Sequence, residues 1–198
     1  MYWQSFLQEF SQYQLACMED KVKATLPSQV LTSGWLGLRG ATEVQITALE
    51  TRLGQKLPPS YRAFLLVSNG WPGEGIYGGM NTLLMAEQVD WFINRHADWI
   101  ETWGSNYNDV SIPDEIYFTY GSMQNSVHLR VEYLLKTLQI SDTDGEPGRV
   151  WLLNPQVIFS DGEWEAWDFA NYYPGAYRYH SFADLMKVEL MFLEAQTD

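Results

Sequence analysis

The stretch LETRLGQKLPPSYRAFLLVSNG, from Leu49 to Gly70, constrains the fold more than any other part of the chain. Just ahead of it, Thr42 with Gln45 three residues later forms a capping-box pattern. Ile46, Leu49 and Leu53 then recur at helical spacing until Gly54, a natural C-cap. Leu57-Pro58 fixes the entry to a second helix, with Tyr61, Phe64, Leu65 and Ser68 on one face. Asn69-Gly70 ends it, because both residues tolerate left-handed backbone. Each helix has one apolar face and needs a partner layer. None of these anchors supplies an acid, base or nucleophile, so the stretch reads as architecture.

The flanking sequence suggests what that layer is. Periodicity predicts an N-terminal helix from Tyr2 to about Leu26, with Trp3, Phe6, Leu7, Phe10 and Tyr13 apolar and Pro27 as its stop. A third helix is predicted from Ala86 to Trp103, carrying Val89, Phe92, Ile93, Trp99, Ile100 and Trp103. Beyond Pro113, IYFTYG, VHLRVEYLL, RVWLLN and EWEAWDF read as strands, with Asp161-Gly162 as a hairpin turn and YYPGAY as a loop. Ser181 should cap a last helix with Phe182, Leu185, Val188 and Phe192 inward. Helices, then antiparallel strands, then a helix is α+β order, a sheet packed with helices.

The anchors Leu49, Glu50, Leu53, Gly54, Leu57, Pro58, Tyr61, Phe64, Leu65, Asn69 and Gly70 resemble the signature of the SUKH superfamily. GEWEAWDF and SFADLM resemble its later part, so the likeness spans Ala41 to about Glu194. Residues 1–40 lie outside it and read as a helical extension to a domain at 41–198. One departure is Trp71, where a second glycine is common after Asn-Gly. The resemblance implies a mixed sheet packed with helices. For bacterial members it also implies an immunity protein that binds and neutralises a toxin. The eukaryotic relatives, related to a yeast cell-wall regulator, suggest an adaptor or regulatory scaffold as the alternative.

Charge narrows the partner class. Net charge is −13, and from Glu74 to Asp168 there are 16 acids against four bases. Nucleic acid is disfavoured, since phosphate recognition needs clustered Lys and Arg. No apolar run approaches the roughly 20 residues of a membrane span, and MYWQSFLQEF lacks the pattern of a signal peptide. Cys17 is the only cysteine, so no intrachain disulfide forms and a cytoplasmic address is expected. Oligomeric state is left open.

Motifs with chemistry are weak throughout. GEGIYG, Gly73 to Gly78, matches a dinucleotide pattern but follows a helix end, and Glu74 would repel phosphates. Asp142, Asp144 and Glu146 hint at calcium, yet the sixth and twelfth loop positions hold Pro147 and Leu153. His96, His128 and His180 have no partner at ligand spacing, and His96 reads as a packed core histidine. Glu163 and Glu165 share a strand face with no apolar pocket to tune either carboxyl. No enzyme, cofactor or metal is expected; a small-molecule enzyme built on the aromatic cluster is the weaker alternative.

The expected partner surface is the segment from Asp142 to Asp168, with seven acids, one base and three tryptophans. The expected contact residues are Asp142, Asp144, Glu146, Asp161, Glu163, Trp164, Glu165, Trp167 and Asp168. Trp151 reads as core. Trp164 and Trp167 should face opposite sides of the sheet, leaving one of them available. A basic toxin domain fits such a surface by steering, with aromatic anchors supplying affinity.

Overall fold

In the computed structural model, residues 1–73, 81–106, 111–143, 148–170 and 174–197 are described. Helices α1 (Trp3–Cys17), α2 (Asp20–Lys23), α3 (Ser28–Ser33), α4 (Glu43–Leu53) and α5 (Pro59–Val67) come first. Strand β1 (Asp90–Trp91), helices α6 (Phe92–Arg95), α7 (Ala97–Asn106) and α8 (Asp114–Tyr117), and 3-10 turns at Gly121–Met123 and Val131–Lys136 follow. Strands β2 (Leu138–Gln139), β3 (Arg149–Ile158), β4 (Trp164–Ala170) and β5 (Ala176–Tyr179) precede the final helix α9 (Phe182–Thr197). The five strands form one antiparallel sheet in sequential order. The fold is α+β.

Both faces of the sheet are covered. On one, Trp151, Leu153, Trp164 and Ala166 meet α1, α5 and α9 through Leu7, Phe10, Phe64, Phe182 and Met186. On the other, Val150, Leu152, Trp167 and Phe169 pack with Phe92, Leu129 and Leu134, bordered by Trp99 and Trp103. Double coverage explains why β3 and β4 lack apolar–polar alternation: a strand wet on one face would need it. All seven residues of β4 are buried.

The opening architecture forms as expected. Thr42 and Gln45 complete a capping box, and Gly54 closes α4 in left-handed conformation (φ 69°). Tyr61, Phe64 and Leu65 are buried on α5. Gly70 has φ 90°, and a Cβ there would lie 2.7 Å from the Leu83 carbonyl oxygen, so glycine is required. Asn69 is buried, its Oδ1 accepting from the Ala86 amide at 2.8 Å. Trp71 bridges to Leu83 and donates its indole N–H to Gln14 on α1 at 2.9 Å. Phe10 and Trp35 meet its ring edge-on. Residues ahead of position 41 thus contribute Trp3, Leu7, Phe10 and Leu36 to the central core.

Five expectations are corrected. The N-terminal helix stops at Cys17 because its buried face ends there; α2 and α3 bury no residue, and packing supplies most helix stability. The third helix is interrupted. Asp90 and Trp91 pair with Gln139 and Leu138, the Asp90 carboxylate accepts from the Trp91 amide, and His96 breaks the run at φ −137°, ψ 52°. The segments 116–121 and 127–135 are short helical turns joined by irregular chain and laid over the sheet, since β-branched and aromatic content does not by itself make a strand. Part of the YYPGAY loop is strand β5, entered through Gly175, whose φ is 94°. On α9, Ser181 caps as expected, its Oγ accepting from the Asp184 amide at 3.0 Å. Phe192, however, is exposed and Met186, Glu189, Leu190 and Leu193 face inward with Phe182 and Leu185.

Candidate partner surface and the charges buried beneath it

The charged members of the opening motif are structural. The buried Glu50 carboxylate accepts the Leu57 amide at 3.2 Å and pairs with Lys56 at 2.6 Å, clamping the corner between α4 and α5. Glu163 reaches across from the β3–β4 turn to accept the Ser60 amide at 2.8 Å and its hydroxyl at 2.7 Å. A carboxylate there complements the N-terminus of α5. Burial nevertheless raises the Glu163 carboxyl above its ordinary value, against those hydrogen bonds, with Asp161 and Asp184 adding repulsion.

Most of the expected contact residues on β4 face inward. Trp164, Glu165, Trp167 and Asp168 are all buried, as is Trp151. Neither Trp164 nor Trp167 is offered to a partner, because the helices cover one face of the strand and the 92–136 segment covers the other. Glu163 and Glu165 do not share a face: Glu163 lies in the turn and binds α5, whereas Glu165 points to α8. The Glu165 carboxylate accepts from Tyr117 at 2.6 Å, Tyr120 at 2.7 Å, Asn154 at 3.0 Å and the Trp167 indole at 2.6 Å. Arg178, fully buried, lies 3.7 Å away and over the Tyr117 ring at 4.2 Å. Desolvation and the neighbouring carboxylate push the Tyr117 and Tyr120 hydroxyls far up, so both remain donors.

On the opposite face Asp168 binds Arg149 through both oxygens, at 2.7 and 2.8 Å, and Glu189 of α9 completes a triad at 2.8 Å. Burial raises the Glu189 carboxyl even with Arg149 beside it. These clusters fix sheet to helix. Glu165, Tyr117 and Arg178 are each fully buried, so no substrate reaches them in this arrangement.

The accessible acids of the segment do not form one patch. Asp142 sits at the Arg149 end of β3, where Asn81 donates to the carbonyls of both residues. Asp161 lies in the turn beyond Ile158, about 30 Å away along the strand. Asp144 and Glu146 fall outside the described residues, as does GEGIYG after Gly73. At the Asp161 end, Tyr120, Phe159 and the exposed His180 form an aromatic triangle. Ring centroids are 4.1 Å (Tyr120–His180), 4.7 Å (Phe159–His180) and 6.1 Å (Tyr120–Phe159) apart. At the other end the half-buried His96 packs on Phe92 and Trp99; desolvation lowers it, with Asp98 and Asp142 pulling the other way. Among the described residues, no three His, Cys, Asp or Glu side chains are grouped to hold a metal ion.

Sequence reasoning found Glu165 and Asp168 but not Tyr117, Tyr120, Asn154, Arg178 or Glu189. Arg178 comes into place because β5 pairs beside β4, Trp167 opposite Arg178, and β5 carried no strand signal; the others arrive from elements distant in sequence. Among the described residues no helix is long and apolar enough to cross a membrane.

Comparison with curated proteins finds no match to the chain. Comparison with protein families matches residues 40–187, which hold the α4–α5 corner, the sheet and the start of α9. The chain therefore belongs to the SMI1 / KNR4 family (SUKH-1).

Proposed function

We propose that the protein is a cytoplasmic immunity protein that binds one cognate toxin domain and neutralises it without catalysis. The observation that carries this reading is the family match over residues 40–187. The charge pattern supports it: an excess of acids between Glu74 and Asp168 suits a basic partner such as a nuclease domain, which the inhibitor would attract and block. Nucleic acid itself is an unsuitable partner for the same reason. The buried carboxylates support a binding role over an enzymatic one, since Glu165 and Asp168 are engaged by internal donors.

The proposed contact surface is the accessible remainder of the acidic segment: Asp161 with the half-buried Glu163 beyond one end of β3 and Asp142 near the other, while Asp144 and Glu146, expected there from the sequence, lie outside the described residues. The test is to identify a toxin domain encoded by the neighbouring gene, coexpress it with the protein and assay toxin activity. Loss of toxin activity at equimolar protein is expected. A fully active toxin at saturating protein would overturn the reading.

A further inference from the structure

We infer that the aromatic triangle of Tyr120, Phe159 and His180, with Asp161 and Asp184 beside it, is a docking point for an arginine side chain of a basic protein partner. The inference rests on the immunity reading for its partner. It goes beyond that reading in naming the anchor.

Phe159 and Asp161 belong to one tight turn, with the Phe159 amide donating to the Glu163 carbonyl and the Gly162 amide to the Phe159 carbonyl, both at 2.9 Å. Asp161 is exposed, and its Oδ1 accepts the Glu163 amide at 3.1 Å, which holds the carboxylate in place. Asp184 stands in the first turn of α9, where its amide meets the Oγ of Ser181, the residue after His180, at 3.0 Å. Lys187 pairs with Asp184 at 2.8 Å, but both side chains are well exposed and that pair is weak. Three aromatic rings, with one surface carboxylate on the turn and another at the start of α9, offer the chemistry that binds a guanidinium: ring faces and carboxylate acceptors. Tyr120 braces the triangle, with the buried Arg178 guanidinium 5.5 Å from its ring centroid. Its hydroxyl donates to the buried Glu165 carboxylate, which anchors the ring and enriches its π electrons.

The neighbouring sheet edge favours docking by side chains. Gln124 accepts the Arg178 amide at 2.7 Å and donates to the Arg178 carbonyl at 3.2 Å, while Ser126 accepts the Ala176 amide at 3.0 Å. The Ala176 amide and the Arg178 amide and carbonyl on the β5 edge are therefore occupied, and a partner strand cannot add there without displacing their partners.

The test has two arms. Nona-arginine peptide is titrated into isotopically labelled protein, with resonances of Tyr120, Phe159, Asp161 and His180 followed by NMR. Saturable shifts centred on those residues, absent in a Phe159→Ala, Asp161→Asn double variant of native-like fold, are expected. Shifts centred instead on the Asp142 end would overturn the inference. In the second arm, binding of the adjacent toxin domain is compared between the wild-type protein and the same variant. A loss of at least about tenfold is expected. Unchanged affinity would overturn the inference while leaving the immunity reading intact. Failure of the wild-type protein to bind the toxin would overturn that reading, and the peptide arm would then decide the arginine site alone.

Discussion

Glu165 illustrates how a residue can look functional in a sequence and be structural in the fold. Four donors converge on its carboxylate, and the buried Arg178 guanidinium stands close by. Truncation would leave those donors without their acceptor and the buried Arg178 cation, which donates to the Tyr117 carbonyl, without its counter-charge. Glu165→Ala should therefore cost about 3–5 kcal/mol in urea denaturation. Partner affinity per folded molecule should not change; a variant of wild-type stability that had lost binding would place Glu165 in an interface. The acid was visible in the chain, but Tyr117 and Tyr120 stand more than 40 residues earlier and nothing local links them to it. His96 gives a pH prediction at the same scale. Burial holds it below the ordinary histidine value, so the unfolded chain takes up its proton first. Stability should fall as pH drops below about 6.5 towards the lower folded value. His96→Gln should flatten that part of the stability–pH curve, and an unchanged slope would assign it to other groups.

Among the elements, α4, α5 and α9 were legible because their signals are local: a capping box, a proline entry, a serine cap. The segment from 111 to 136 was not, since its aromatic and β-branched residues serve as a cover over the sheet. β5 was hidden for a related reason: four residues entered through Gly175 give no periodicity to read. The first helix was legible as a helix, but its integration depends on Trp71, whose ring and indole N–H meet Phe10 and Gln14. Phe10→Ala should cost about 3–5 kcal/mol, close to Phe64→Ala, when both are unfolded in urea. A loss of less than 1 kcal/mol for Phe10 would mean that the helix is a detachable arm. At the β5 edge, Gln124→Ala would free the Arg178 amide and carbonyl. Self-association in sedimentation velocity is expected, and a strictly unaltered sedimentation coefficient would show that the edge is protected by other means.

For the molecule as a whole, the sheet is the interior, and the proposed contact surface lies at its ends. Both faces of β4 are covered, so the tryptophans that composition offered as anchors instead unite the two cores. Charge, by contrast, survives folding: Asp142 near one end of β3 and Asp161 beyond the other are exposed, a source of negative field at each. A binder steered by such a field should associate more slowly as salt rises, with dissociation changed far less. The central claim is that this surface captures a basic toxin domain, and the most direct measurement is association kinetics with the adjacent toxin domain at low and high salt. The account predicts a one-to-one complex whose association rate falls steeply with salt, and falls further when Asp142 and Asp161 are reversed to lysine. A complex whose formation is indifferent to both salt and charge reversal would contradict it.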